Sequence, residues 1–246
     1  MRFKDVFSII GPAMVGPSSS HTAGAARIGR AARQLFGEQP EQALILFYGS
    51  FAATYRGHGT DRAIVGGLLD LQTDDPHIPD ALEIAEQSGL HVTFDEGKGL
   101  FPHPNTAKIV LASSSKPKQL SMVGTSIGGG NIEIVEINGF SVKMSGVYPT
   151  LVLWHHDWPG AVADMTQLLK QRSVNIGYMS VDRKSRSGDA LTVLELDAAP
   201  TPELVADLNG VQAIQSVHIV DLNLESDIVG DSTAAKQKLS REDDRT

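Results

Sequence analysis

The stretch GPSSSHT at residues 16–22 crowds four hydroxyl side chains and an imidazole into one turn. It runs straight into an alanine-rich, arginine-studded segment, AGAARIGRAARQLF, at 23–36. The first N–H groups of a helix have no internal acceptors and carry the positive end of the helix dipole, so an anion is favoured there. Gly16-Pro17 lets the backbone bend and come close. Ser18, Ser19, Ser20 and Thr22 add hydroxyl donors, and His21 adds a group that titrates near neutral pH. One serine N-cap, worth about 1 kcal/mol, accounts for one of these side chains and leaves the others. The excess points to a small anionic ligand, a carboxylate or a phosphate.

Two further clusters share this character. RGHGTDRA at 56–63 places His58 between glycines just before a predicted helix, and FPHPNTAK at 101–108 places His103 between prolines, followed by Asn105 and Thr106. Together with His21 they suit the binding of a polar substrate and proton movement near neutral pH. Their spacing matches no local zinc pattern, and no metal ligand is assigned to them. GTSIGGGNIEI at 124–134 is rich in glycine, yet no Gly-x-Gly-x-x-Gly opens a helix there and no Lys-Ser/Thr follows. A tight bend between strands fits better, with Ser126 and Asn131 able to touch a ligand. Asp157, Pro159 and Gly160 form a strand-to-helix turn that serves architecture, or offers its N–H groups to an amino acid. Arg27, Arg30 and Arg33 fall off the apolar stripe of their helix, which predicts a solvated or partner-facing side.

The elements that must position these residues follow from periodicity. A strand is expected at Phe3–Ile10, then a helix from about Ser20 to Phe36 with Ala25, Ile28, Ala32, Leu35 and Phe36 inward and Gly37 as C-cap. QALILFYGS (42–50) reads as a buried strand. GTDRAIVGGLLDLQ starts a helix with Thr60 or its neighbour as N-cap, and IPDALEIAEQSG forms another, running from near Pro79 to Gly89. Short alternating segments then predict an antiparallel sheet, two of them joined at Asn138-Gly139, a strong hairpin signal. After a break at 145–150 the pattern restarts as β-α-β-β-α-β, the ferredoxin-like arrangement. The fold class is α+β in two domains, 1–146 and 149–223. A polar tail, 224–246, is expected to be flexible.

Composition sets the limits. Of 246 residues, 41% are apolar and 20% charged, as in an ordinary globular chain, and no apolar run is long enough to span a membrane. A formal charge of −8 argues against nucleic-acid binding. The chain has no cysteine, which suits a reducing compartment, with the cytoplasm as the expected location, and leaves it without the thiolates that usually hold an iron–sulfur cluster.

GPSSSHTAGAARIGR, HGTDRA, FPHPNTA and SIGGGNIEI, in that order, resemble the β-subunit of the iron–sulfur-dependent L-serine dehydratases (L-serine ammonia-lyases). The same domain is similar to the allosteric substrate-binding domain of one type of D-3-phosphoglycerate dehydrogenase. The second domain resembles an ACT domain, a ferredoxin-like regulatory module that pairs across an interface and binds amino acids. The resemblance implies a partner α-subunit holding a [4Fe-4S] cluster on its cysteines, and L-serine as substrate. The family's reaction loses water from serine with iron as Lewis acid and a base taking the α-proton, and the enamine then yields pyruvate and ammonia. On this chain it implies carboxylate binding by Ser18, Ser19, Ser20 and Thr22, and proton transfer by His21 or His58. His103, Asn105 and Thr106 belong to the same pocket. A homodimer through the ACT-like domain is compatible with it. Two other readings stay open: a purely regulatory serine-binding subunit, and a free-standing sensor of small carboxylates.

Overall fold

The computed structural model describes residues 13–99, 101, 103–114, 117–186 and 188–223. The expected strand at 3–10 and the tail at 224–246 lie outside them. The first helix begins with a π-helical turn, Ser19–Ala23, capped by Ser18, whose Oγ accepts from the His21 backbone N–H. It continues as α1, Gly24–Phe36, and stops at Gly37, whose φ of 77° is the left-handed value a C-terminal glycine supplies. A π turn admits one extra residue into the helical ladder and is frequent at functional sites. Here it re-aims the side chains of 19–22 relative to the regular helix behind them.

The apolar stripe of α1 packs as its periodicity predicts, but the arginine side does not face solvent. Arg30 is 1% exposed. Its Nε lies 2.9 Å from Asp70 Oδ1, and its Nη1 donates to Gln72 Oε1 at 2.8 Å and to the Leu222 carbonyl at 3.2 Å. Arg27 Nη2 donates to the Gly146 carbonyl at 2.7 Å. The second half of the chain lies against α1, so its polar stripe meets carbonyls and a carboxylate in place of water. The long apolar stems of arginine allow that burial once the head groups are paired.

Strand β1 (Gln42–Tyr48) alternates, sending Ala43, Ile45 and Phe47 into the core. The expected strand to residue 50 stops short. Gly49 turns with φ 56°, and a Cβ there would lie 2.6 Å from the Pro104 carbonyl oxygen, so only glycine fits. A short helix, α2 (Gly49–Thr54), follows, and then α3 (Thr60–Leu68), whose cap position is Gly59 at φ 68°. A single 3-10 turn at Ile78–Asp80 leads into α4 (Ala81–Gln87).

Strands β2 (His91–Glu96), β3 (Asn105–Ser113), β4 (Lys118–Gly128), β5 (Asn131–Ile137) and β6 (Phe140–Met144) complete a six-stranded sheet ordered β2-β1-β3-β4-β5-β6. β1 and β2 are parallel and the other pairs antiparallel. The β5–β6 turn carries φ 49° at Asn138 and 77° at Gly139, the doubly left-handed geometry that makes Asn-Gly a hairpin signal.

Beyond the break come β7 (Thr150–His156), α5 (Ala161–Gln171), β8 (Ile176–Arg183), β9 (Asp189–Leu196), α6 (Pro202–Asn209) and β10 (Ile214–Val220). The sheet order β10-β7-β9-β8, all antiparallel, is the ferredoxin-like arrangement expected from the sequence. One face, with Leu151, Leu153 and Leu194, packs on Met165, Leu169 and Leu204 of its helices. The other face, with Val152, Leu191, Val193 and Val220, merges with the core of the first sheet. At about 1.5–3 kcal/mol for each fully buried aliphatic side chain, this shared core ties the two sheets together. The chain is therefore mixed α+β with two sheets. Among the described residues no helix is long and apolar enough to cross a membrane.

Candidate functional site

The π turn, α2 and the loop before α3 converge on His21. Its Nδ1 lies 3.3 Å from Ser18 Oγ and its Nε2 3.4 Å from Ser50 Oγ. Phe51 meets the ring edge-on with centroids 5.3 Å apart, and His58 does so at 4.9 Å. Burial holds His21 below the usual histidine value of 6.5, and the neighbouring His58 pushes it the same way. A neutral imidazole is therefore the resting form at neutral pH, ready to accept a proton.

His58 is exposed and its place is set by backbone bonds. Its N–H donates to the Thr54 carbonyl at 3.0 Å, and Thr60 N–H donates to the Tyr55 carbonyl at 2.9 Å. It lines a cleft of about 130 Å³ shared with Gly16, Thr22 and Arg62. It also lines the edge of a wider one of about 540 Å³ bounded by Arg56 and Glu96. The smaller cleft matters more, because it is the one that Thr22 reaches. Thr22 is 2% exposed. Its Oγ1 has no hydrogen-bond partner among the described residues. Gly16 permits the loop to close over it, since a Cβ on Gly16 would fall 2.5 Å from that oxygen.

The third cluster docks beside Ser50. Ser50 N–H donates to the Pro104 carbonyl at 2.7 Å, and Gly49 and Asn105 form an isolated antiparallel bridge. His103 stays within its own loop: its Nδ1 accepts from Asn105 N–H at 3.2 Å, and its carbonyl accepts from Thr106 Oγ1 at 2.7 Å. Thr106 is fully buried opposite Thr125. One residue further along these paired strands stand Asn105 and Ser126, whose Oδ1 and Oγ are buried without partners among the described residues. Ser126 abuts the start of α1, where a Cβ on Gly24 would lie 2.1 Å from its Oγ. A buried polar atom left unpaired costs about 1–3 kcal/mol, so each of these three atoms, Thr22 Oγ1, Asn105 Oδ1 and Ser126 Oγ, is a candidate to receive a ligand.

The structure thus brings His21, Ser18 and His58 into contact, and sets Thr22 and Asn105 against neighbouring elements. Ser19 and Ser20 lie half-buried on the π turn, where the Ser19 carbonyl accepts from Gly24 N–H. Ser50 was not singled out from the sequence. Its only signal was a Gly-Ser pair ending an apolar run. The bend at 128–130 is a turn of three left-handed glycines, with Asn131 Nδ2 donating to the Gly128 carbonyl at 3.2 Å. Among the described residues no group of three or more His, Cys, Asp or Glu is placed to hold a metal ion.

Residues 3–136 match the family model described as serine dehydratase beta chain. The chain belongs to the serine dehydratase β-chain family. It is 47% identical over 222 residues to the probable L-serine dehydratase β chain of Bacillus subtilis (strain 168), covering 90% of this chain and 100% of that one. It is 36% identical over 217 residues to the L-serine dehydratase β chain of Peptoniphilus asaccharolyticus, covering 88% of this chain and 97% of the relative. A more distant likeness, 25% identity over 202 residues, spans 80% of this chain but 37% of the D-3-phosphoglycerate dehydrogenase of Bacillus subtilis (strain 168). The Bacillus subtilis and Peptoniphilus asaccharolyticus relatives thus bear the name of β chains of a lyase, L-serine dehydratase.

Proposed function

We propose that this chain is the β-subunit of a two-subunit L-serine dehydratase and that it grips L-serine and moves its protons. The observation that carries the reading is His21, neutral through burial, held between two serine hydroxyls and touching His58 beside the unpaired hydroxyl of Thr22. In this reading Ser18, Ser19, Ser20 and Thr22 donate to the serine carboxylate at the helix mouth. His21 takes the α-proton, and His58, open to solvent, passes protons to and from the site. His103, Asn105 and Thr106 form the wall on the β3 side, Asn105 through its amide and the others by holding that loop.

A [4Fe-4S] cluster does not fit this chain. The 246 residues contain no cysteine thiolate to bind it. The proposed assembly places the cluster on a partner α-subunit, and this chain's share is binding, orientation and proton transfer. The same reading places the enzyme in the cytoplasm and makes the ferredoxin-like half an ACT-like module at 149–223, able to pair with a second copy.

Anaerobic co-expression with the candidate α-chain, followed by a pyruvate assay with L-serine, tests the proposal. The pair is expected to be active and the isolated chain inactive. Serine deamination by this chain alone would overturn the division of labour. A second reading is favoured by the likeness to a dehydrogenase of different chemistry: a region shared by two unlike enzymes suits a regulatory binding unit. His21→Ala and His58→Ala separate the two. Loss of maximal rate supports proton transfer, whereas a retained rate with an altered serine response assigns regulation.

A further inference from the structure

Ser50 is held more firmly than a serine at the start of a short surface helix needs to be. Its N–H donates to the Pro104 carbonyl at 2.7 Å, and its carbonyl accepts from Thr54 Oγ1 at 2.7 Å. The preceding residue, Gly49, is fitted against Pro104 with no room for a side chain. This fixed backbone brings Oγ to 3.4 Å from His21 Nε2. On the other side of the ring Ser18 Oγ already accepts from the His21 main-chain N–H at 3.2 Å, and it lies 3.3 Å from Nδ1. A hydroxyl oxygen has two acceptor positions, and here the backbone N–H and the ring nitrogen of one residue approach it together. That arrangement leaves Ser18 Oγ an acceptor position for a proton on Nδ1. A neutral ring then has an unprotonated Nε2, which needs a donor.

We propose that Ser50 is a positioning residue whose hydroxyl donates to Nε2 of His21 while Ser18 accepts from Nδ1–H, so that Nε2 is fixed as the basic nitrogen. Which ring nitrogen carries the proton is set by the bond made by the other, and Ser50 as donor with Ser18 as acceptor selects one and the same tautomer. The inference rests on the proton-transfer role proposed for His21 and names the atom that performs it: as substrate enters, the Ser50 hydroxyl turns its proton away from Nε2, and the freed lone pair takes the α-proton. Among titratable groups on the surrounding elements, His58 touches the ring. Asp61 and Arg62 stand in the first turn of α3, and His103 precedes β3.

The test uses the full-length chain labelled with 15N, with the His21 ring signals recognised by their loss in His21→Asn. Above the histidine titration range, the two ring nitrogens report the tautomer directly. The expected result is Nδ1–H in the parent chain and in Ser50→Thr, with Ser50→Ala shifting toward Nε2–H. An Nε2–H ring in the parent, or no change in Ser50→Ala while Ser50→Thr also matches the parent, overturns the inference. In the assembled enzyme, Ser50→Ala is expected to lower kcat at least about tenfold with KM changed less than about threefold, and Ser50→Thr to restore it. Because a donor to Nε2 favours the neutral ring, Ser50→Ala also moves the acid limb of kcat/KM to higher pH, whereas Ser18→Ala moves it to lower pH. If the tautomer responds as expected but turnover and the pH profile do not, Ser50 still positions the ring, and it is the catalytic role of His21 that fails.

Discussion

His21 and His58 meet edge to face, with ring centroids 4.9 Å apart and planes at 81°. Burial is the larger reason that His21 titrates below 6.5, and a proton on His58 adds to it. His58→Gln removes that repulsion, so the His21 value rises and the acid limb of the assembled enzyme's pH–rate profile moves up. Stability follows the same sign. At His21 the unfolded chain binds more protons than the folded one between about pH 6.5 and the lowered folded value, so this group's share of stability is lost as pH falls through that window. Above it the effect vanishes. Thermal denaturation of the chain on either side of that pH, with and without His58→Gln, should show a smaller acid loss in the variant.

The loop that carries His58 is placed by α3, and α3 is placed by glycine. A Cβ on Gly67 would lie 2.0 Å from the Ala26 carbonyl oxygen, and one on Gly29 would lie 2.1 Å from that of Ile64. Both obstacles are helix backbone, which cannot swing aside. Gly67→Ala should therefore cost about 1–3 kcal/mol in urea denaturation, as overpacked cores do. It should also lower kcat in the assembled enzyme, because widening the α1–α3 crossing draws His58 away from His21.

The sequence made the strands legible because alternation and turn chemistry agree there. β5, Asn138-Gly139 and β6 are local features, and the left-handed pair at the turn leaves no other geometry. The histidine clusters were legible for the same reason, each flanked by Gly, Pro or hydroxyl residues. Ser50 was not, since QALILFYGS carries one unbroken apolar pattern, and only the distant Pro104 explains why the strand ends at Tyr48. Arg30 failed similarly. Helical spacing puts it off the stripe of α1, and nothing nearby in sequence announces that Asp70 and Leu222 will cover it.

Arg30 is expected to be a stability residue away from the site. Its guanidinium serves a carboxylate, an amide and a main-chain carbonyl drawn from two distant segments. Arg30→Ala strands Asp70, whose side chain is 23% exposed, so the loss should lie at the lower end of the range for broken buried pairs, about 3 kcal/mol. Arg30→Lys should recover part of it, because an ammonium restores the charge but not the planar fork. Urea denaturation of the three chains measures the series.

The unpaired hydroxyls make the sharpest separation between folding and binding. Thr22 Oγ1 and Ser126 Oγ are buried and have no partner among the described residues, so neither supports a hydrogen bond there. Thr22→Val and Ser126→Ala remove each oxygen while keeping the shape nearly intact. Removing an orphaned polar atom is neutral or favourable, so each variant should match or exceed the parent's stability, by up to about 1 kcal/mol. If these hydroxyls instead receive a ligand, the same variants should raise the KM for L-serine in the assembled enzyme. Thermal melts of the chain and serine titrations of the enzyme, made on the same variants, give the two readouts. A drop in melting temperature for Thr22→Val would mean that its hydroxyl serves the fold, and the carboxylate would then have to be held by Ser18, Ser19 and Ser20 alone.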